Sequence, residues 1–189
     1  MKLAFIDTET TGLDPQTSAV LEFAAIIVNN GVVVARYEAK IKPTEQELQY
    51  AHPKALEVNG YTDEAWADAP TMETVAYDII TLLDGCVLVG HNVSFDETML
   101  KAHFASHGIK GRIPYHKIDT VTLAYEHLTP LGLKSVSLDR VRDFLGWSKD
   151  GAHTAMKDVE DTKRLFDLLW RMTPWRRFVL RLKLRFGGV

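Results

Sequence analysis

The residues of this 189-residue chain with the clearest chemical potential are acids that follow apolar segments. Asp7 and Glu9 come at the end of the apolar run 3–6, which predicts a central strand. Because alternate residues of a strand point to the same face, the two carboxylates lie side by side. Neighbouring carboxylates repel each other unless a cation lies between them, and their oxygens are preferred ligands of hard cations. Taken alone, however, an Asp-x-Glu pair is more typical of a strand that leaves the core and becomes polar.

A third acid, Asp96, follows a second apolar run, 86–90, which predicts another buried strand. It falls on the first turn of a helix predicted over 94–107, with His91 and Asn92 in the preceding loop. The helix dipole alone also favours an acid at this position, so Asp96 by itself indicates no site.

His153 and Asp158 lie at the start of a long helix predicted over 152–172. Five residues correspond to about 140° around a helix axis, so the two side chains do not share a face. We therefore expect His153 on a loop or a frayed first turn, from which it can swing toward a site that Asp158 anchors. The alternatives are a surface histidine at a helix end and a solvated helix position.

Taken together, three segments supply four carboxylates and one histidine, each near a predicted strand end or helix start. A charge of −4 balances two divalent cations, and this is the composition that two-metal phosphodiester hydrolysis requires. A neutral imidazole near pH 7 can take the proton of the attacking water.

The elements that must position these residues can be predicted from periodicity and turn signals. Asn30-Gly31 indicates a hairpin between two strands, so the N-terminal region predicts a three-stranded antiparallel unit. The predicted strands are 3–6, 19–28, 32–41, 86–90 and 115–118, and the predicted helices are 54–58, 71–84 with Thr71 as N-cap, 94–107, 120–127, 135–145 and 152–172. Strands followed by strand–helix alternation predict an α/β fold with a mixed sheet.

The composition is that of one globular domain, with 46% apolar residues. No apolar run reaches the length of about 18 residues that a membrane span needs, and the N-terminus is charged too early for a secretory signal. The single cysteine, Cys86, cannot form an internal disulfide and is predicted to be buried, which favours a reducing, cytoplasmic setting.

The net charge of −3 is unevenly distributed. Six of the 22 Lys and Arg residues and none of the 25 acids lie in 171–189, so this tail carries +6 and residues 1–170 carry −9. An acidic body is not typical of a protein that grips duplex by charge alone. We expect residues 1–170 to form the main domain and 171–189 a basic amphipathic helix or tail.

Read as a helix, the tail has one apolar stripe beside a row of arginines. The stripe comprises Trp175, Phe178, Val179, Leu182 and Phe186, and the row comprises Arg177, Arg181 and Arg185. The favoured interpretation is a last helix that packs this stripe on the body. The alternatives are a clamp on a nucleic-acid backbone, a docking helix for a polymerase or other partner, and a membrane-surface helix.

His103 and His107 are four residues apart on a predicted helix, a spacing that could bind zinc. No glutamate follows His103 and the chain has no cysteine pair, so a solvated helix face is the favoured interpretation.

Three of these segments resemble the motifs of the DEDDh exonucleases, a group that includes the bacterial polymerase proofreading subunit, ribonuclease T and the oligoribonucleases. They are Phe5-Ile6-Asp7-Thr8-Glu9-Thr10-Thr11-Gly12-Leu13, His91-Asn92-x-x-Phe95-Asp96 and His153-x-Ala155-x-x-Asp158. The order is that of the family, Ile118-Asp119-Thr120 with Leu123-Ala124 matches a further recurrent segment, and the likeness covers about residues 1–170.

The resemblance implies a ribonuclease-H-like fold with a five-stranded mixed sheet flanked by helices. It implies that two Mg²⁺ or Mn²⁺ ions are held by Asp7, Glu9, Asp96 and Asp158, with His153 as general base. The substrate contacts that it implies are the backbone at Thr10, Leu13 as a wedge against the terminal bases, Asn59, His91 and Asn92. Leu13 could equally be a turn leucine folded back on the core, and Asn59 stands where the family often has histidine.

The activity implied is 3′→5′ hydrolysis of single-stranded DNA or RNA to nucleoside 5′-monophosphates, with proofreading for a polymerase in trans as one role. The alternatives are a catalytically idle nucleic-acid-binding or polymerase-docking module and an endonuclease on the same fold. The preference for DNA or RNA and the oligomeric state stay open.

Overall fold

Five strands form the centre of the structure, a computed structural model that describes residues 1–186. They are β1 (Lys2–Thr10), β2 (Val20–Asn29), β3 (Val32–Lys40), β4 (Val87–Gly90) and β5 (Lys117–Asp119). Their order in the sheet is β3-β2-β1-β4-β5, with β2 antiparallel to both β1 and β3, and β4 parallel to both β1 and β5. The predicted mixed sheet is confirmed, although β5 lies two residues later at its start than predicted.

Eight helices accompany the sheet in the described residues. They are α1 (Glu45–Gln49), α2 (Pro53–Val58), α3 (Met72–Leu83), α4 (Val93–Ser106), α5 (Thr120–Leu128), α6 (Leu138–Leu145), α7 (Ala155–Leu169) and α8 (Pro174–Phe186), with a 3₁₀ turn at Thr129–Leu131. The sequence did not predict α1, which a capping box of Thr44 and Glu47 stabilises. The predicted starts of α6 and α7 were wrong by three residues each, and Thr71 precedes α3 without a side-chain cap.

The alternation of β1 decides which side of the sheet each acid faces. Ala4 and Ile6 pack with α3 and α4 on one face, whereas Phe5 packs with α7 on the other, where its ring meets Phe166 at 5.3 Å. By the same alternation Asp7 and Glu9 belong to the face that α7 covers. The strand therefore presents both carboxylates toward the helix that carries Asp158.

The helix α8 packs on the body with a different face from the predicted one. Leu180 is buried against α5, α6 and α7, and Leu184 packs beside it. Trp175, Phe178 and Leu182 of the predicted stripe are instead 70%, 50% and 40% exposed, so the interpretation that this stripe packs on the body was wrong. The stripe's last predicted member, residue 186, has its side chain outside the described structure. In residues 1–186 no helix has the length and apolarity to cross a membrane.

Candidate active site

Three of the four predicted acids converge at the C-terminal end of β1. Oxygens of Asp7, Glu9 and Asp158 lie within 4.8 Å of one another, close enough to share a cation. Asp96 approaches from the first turn of α4, where its Oδ1 accepts hydrogen bonds from the backbone N–H (2.9 Å) and the hydroxyl (2.8 Å) of Thr8. The strand β1 and the helix α4 thus meet through Thr8.

The electrostatics of this cluster are those of like charges withdrawn from water. Burial, followed by the charges of Asp96, Asp158 and Glu9, raises the pKa of Asp7 well above its usual value. Burial and the neighbouring acids raise the pKa of Glu9 to about 8. Burial raises the pKa of Asp96 to about 7 against the opposing hydrogen bonds from Thr8. A divalent cation removes this repulsion, and the all-carboxylate donor set fits Mg²⁺ or Mn²⁺.

His153 lies in the turn that precedes α7, as expected, and not within the helix. Its φ of 67° places it in the left-handed region, and its side chain is 45% exposed. The backbone N–H donates to Asp158 Oδ1 at 3.2 Å, while ring Nε2 lies 3.5 Å from Asp139 Oδ2. The backbone of this histidine is therefore tied to one acid and its ring faces another.

A cleft of about 480 Å³ opens beside the acids, between the turn after β1 and α2. Leu13 is 84% exposed on its wall together with Val58 and Phe95, so the reading of Leu13 as a core residue was wrong. Asn59 also lines the cleft, and its side-chain amide donates to the backbone carbonyl of Thr10 at 2.9 Å.

The two remaining predicted contacts lie before α4. The His91 ring contacts Thr120 Oγ1 through Nδ1 (2.9 Å) and donates from Nε2 to the Val136 carbonyl (2.7 Å), so both nitrogens are used within the protein. Burial lowers the pKa of the His91 ring. Asn92 has an exposed side chain and a φ of 75°, and its backbone N–H donates to Asp119 at 3.1 Å.

Two charged residues near the acids were not singled out by the sequence patterns. Glu22 faces Glu9 across the β1–β2 pair, and its carboxylate accepts from the Ala155 N–H at the start of α7 at 3.3 Å. Burial raises the pKa of Glu22. Arg142 of α6 is fully buried and donates to Asp158 at 2.7 Å. The available signals were a glutamate inside an apolar strand and an arginine on the apolar face of α6.

His103 and His107 form a second polar cluster on the other side of the sheet. His103 is 3% exposed, so the interpretation as a solvated helix face was wrong. Both rings contact Glu47 Oε1, His103 at 2.8 Å and His107 at 3.0 Å, and His107 also contacts Glu73 at 2.7 Å.

Comparisons with known proteins identify the family of the chain. The family profile described as exonuclease, that of RNase T, matches residues 4–166, and the chain belongs to this family. It is 33% identical over 162 residues to the PolC-type DNA polymerase III of Thermotoga maritima, a match that covers 85% of this chain and 11% of that protein. It is 28% identical to the DNA polymerase III subunit epsilon of Aquifex aeolicus, with 85% and 76% covered.

Further relatives carry exonuclease names. The 3′-5′ exonuclease DinG of Bacillus subtilis is 26% identical, with 87% of this chain and 17% of that protein covered. Exonuclease I of Escherichia coli, solved in a zinc-bound form with single-stranded DNA, is 26% identical with a TM-score of 0.74, with 94% of this chain and 42% of that chain covered. The chain thus spans about a tenth of the PolC-type relatives and under half of exonuclease I. It has an exonuclease domain of the divalent-metal-dependent type.

Proposed function

We propose that the chain removes nucleotides from the 3′ end of single-stranded DNA or RNA, hydrolysing the terminal phosphodiester bond to release nucleoside 5′-monophosphates. The observation that supports this most strongly is the convergence of Asp7, Glu9 and Asp158 within 4.8 Å in a chain of the exonuclease family. With Asp96 they supply four negative charges, which fits two Mg²⁺ or Mn²⁺ ions. When bound, such ions activate a water molecule and stabilise charge on the departing 3′ oxygen.

The chain's own residues have distinct roles in this proposal. His153 accepts the proton of the attacking water on its half-exposed ring, which the substrate can reach because it lies on the turn before α7. Asp158 Oδ1 accepts hydrogen bonds from Arg142 and from the His153 backbone, which leaves Oδ2 as the oxygen for a cation.

The cleft beside the acids receives the 3′-terminal nucleotide. The exposed Leu13 and Val58 provide apolar contact for a base, which tolerates any sequence because every base has an apolar face. Asn59 holds the Thr10 carbonyl in place, so that the backbone at Thr10 meets the terminal 3′-OH. Asn92 is available for a phosphate contact, whereas His91 acts by holding the loop at Val136.

Residues 171–189 form an appendage to an exonuclease domain of residues 1–170 in this proposal. The appendage docks a partner protein such as a polymerase, since α8 exposes Trp175, Phe178 and Leu182 beside basic residues. The polymerase names of the relatives agree with such a partner and with a cytoplasmic location.

A test of docking compares the protein with a Trp175→Ala/Phe178→Ala variant in co-elution with the replicative polymerase of the same organism. Loss of co-elution with unchanged nuclease activity is expected. Tyr125→Ala, which removes an exposed aromatic ring from α5, is the matched control. Co-elution that survives the double substitution would exclude this surface.

The nuclease proposal is tested with end-labelled DNA and RNA oligonucleotides, incubated with Mg²⁺, with Mn²⁺ or with a chelator. We expect metal-dependent shortening from the 3′ end with mononucleotide products. A circular single strand must stay intact, because cleavage of a circle would make the protein an endonuclease. Binding of the oligonucleotides without any cleavage would favour the idle binding module.

A further inference from the structure

Arg142 is a buried charge with three acidic partners. Its side chain is 0% exposed, and each of its three nitrogens donates to a different carboxylate. Nε donates to Asp161 Oδ2 at 2.8 Å, Nη2 to Asp158 Oδ1 at 2.7 Å, and Nη1 to Asp139 Oδ1 at 3.0 Å. Removing a guanidinium from water is costly, and only such complete pairing compensates for it.

The three carboxylates are not equivalent. Asp158 belongs to the acid cluster, whereas the other oxygen of Asp139 lies 3.5 Å from Nε2 of His153. Asp161 also accepts a hydrogen bond at 2.9 Å from Lys157, which lies one turn earlier in α7. Asp161 therefore fixes the Nε side of the guanidinium. A single buried side chain therefore contacts a proposed cation ligand and, through one more acid, the proposed base.

The shape of the guanidinium matters as much as its charge. A planar fork with donors in fixed directions sets the orientation of each carboxylate that it contacts, whereas the point charge of a lysine does not. At Asp158 the guanidinium and the His153 N–H both donate to Oδ1, which leaves Oδ2 available to a cation.

We propose that Arg142 is a positioning residue of the active site, which orients Asp158 for cation binding and, through Asp139, holds His153 beside it. This assignment rests on the proposed function. In this role Arg142 acts through Asp158 and Asp139, and not by contact with the substrate or a cation. A purely structural role, in which Arg142 only ties α6 to α7, predicts a loss of stability without a specific change in cation affinity.

The first test measures Mn²⁺ binding by calorimetry in the absence of nucleic acid. Loss of an outer partner of a metal ligand typically weakens metal binding by about 10–100-fold, and we expect this loss for Arg142→Lys, which keeps the charge without the fork. Arg140→Gln is the matched control, since Arg140 is exposed on the same helix and only pairs with Asp143 at 3.5 Å. A folded Arg142→Lys protein with the Mn²⁺ affinity of the wild type would overturn the proposal.

A second variant covers the case in which Arg142→Lys does not fold. Arg142→Leu/Asp161→Leu replaces the buried pair with apolar side chains, an exchange that proteins often tolerate. It removes the guanidinium from Asp158, so the same weakening of Mn²⁺ binding is expected, and unchanged binding would again overturn the assignment.

Asp139→Asn tests the contact through which Arg142 is proposed to hold His153. Asp139 is about two-fifths exposed, so the fold is expected to survive. We expect kcat to fall by about tenfold with KM and Mn²⁺ affinity unchanged, because only the base loses its orienting carboxylate. An unchanged kcat would remove Asp139 from the proposal.

If the wild type neither binds Mn²⁺ nor shortens oligonucleotides, the proposed function itself fails, whereas an active wild type with unaffected variants rejects only the role of Arg142.

Discussion

Among the described residues, two clusters each bring three side chains that could ligate a metal within 4.8 Å, yet the hydrogen bonds of the two clusters differ. One is the acid cluster of Asp7, Glu9 and Asp158, and the other is the histidine cluster of Glu47, His103 and His107. Proximity of ligand types is the same in both. The difference lies in whether the protein itself already satisfies the charges and lone pairs.

In the histidine cluster the protein does so. The backbone N–H of Val20 donates to His103 Nδ1 at 3.1 Å, which leaves the proton on Nε2, where it is donated to Glu47. A neutral ring with both nitrogens hydrogen-bonded in this way has no free lone pair for a cation. His107 lies between Glu47 and Glu73, and although burial opposes it, these two hydrogen bonds raise the pKa of His107.

In the acid cluster Arg142 pairs with Asp158, but the acids outnumber this one positive charge. The first cause of each raised pKa is burial, and the next causes at Asp7 and Glu9 are other acids, with Arg142 as the opposing charge. A group of like charges that the protein does not neutralise is stable only with a cation or with protons. Hydrogen-bond pairing, and not ligand spacing, therefore distinguishes the proposed metal site from a structural clamp.

The largest expected effect follows from removing one charge from each cluster. Asp7→Asn should lower the nuclease rate by about a thousandfold or more, the loss of several kcal/mol of metal-mediated stabilisation. It should also raise the melting temperature of the metal-free protein, because a repelling charge disappears. Glu47→Gln should do the reverse, keeping activity and losing stability. Nuclease activity of Asp7→Asn in a single-turnover assay would show that catalysis does not depend on the acid cluster.

The histidine beside the acid cluster, His153, provides the second test. His153→Ala should lower kcat by about 10²–10⁴-fold, the usual contribution of a general base, with Mn²⁺ binding preserved. The control is His116→Ala, which removes an exposed ring that packs at a tilt against Tyr115. A parallel loss of Mn²⁺ affinity in His153→Ala would show that the ring is a ligand and not a base.

The central sheet and the acids at the C-terminal end of β1 were predictable because they depend on local signals in the sequence. An apolar run ending in Asp7 and the Asn30-Gly31 turn specify strands without reference to the rest of the chain. The start of α7 was not predictable in this way. The N–H of Ala155 meets the carboxylate of Glu22, which lies 133 residues away in sequence.

The burial of polar residues was equally hidden from the sequence. His103 is buried because Val20 and Glu47 satisfy both ring nitrogens, and neither partner lies near it in the chain. In α8, apolar residues occur on more than one side, so spacing could not decide between Leu180 and Phe178 as the packed residue. Tertiary contacts decide both the burial of His103 and the burial of Leu180.

A smaller effect, on stability alone, is expected when His103 is replaced. His103→Leu leaves the Val20 N–H without an acceptor and removes a partner of Glu47, which together should cost about 3 kcal/mol. The free energy of unfolding from urea titration measures this loss, and the folded variant should keep its nuclease activity. Stabilisation of the wild type by Zn²⁺ that disappears in His103→Leu would instead make the histidine cluster a metal site.

The smallest expected effect is a dependence on pH at His107. Because its folded pKa is raised above 6.5, its stabilising contribution is complete below 6.5 and is lost as pH rises through the raised value. The hydrogen bond from His107 lowers the pKa of Glu73 from 4.5 to about 2. The contribution of Glu73 to the free energy of unfolding is therefore complete above pH 4.5 and is lost only as pH falls toward 2.

The difference in unfolding free energy between the wild type and His107→Gln should therefore be largest between these limits, about 1 kcal/mol near pH 6, and should shrink by about pH 9. Taking this difference cancels the contribution of the acid cluster, which weakens as pH rises in both proteins alike. A difference that stays constant with pH would mean that His107 is neutral between its two carboxylates, and the contrast between a balanced and an unbalanced cluster would then lose its electrostatic basis.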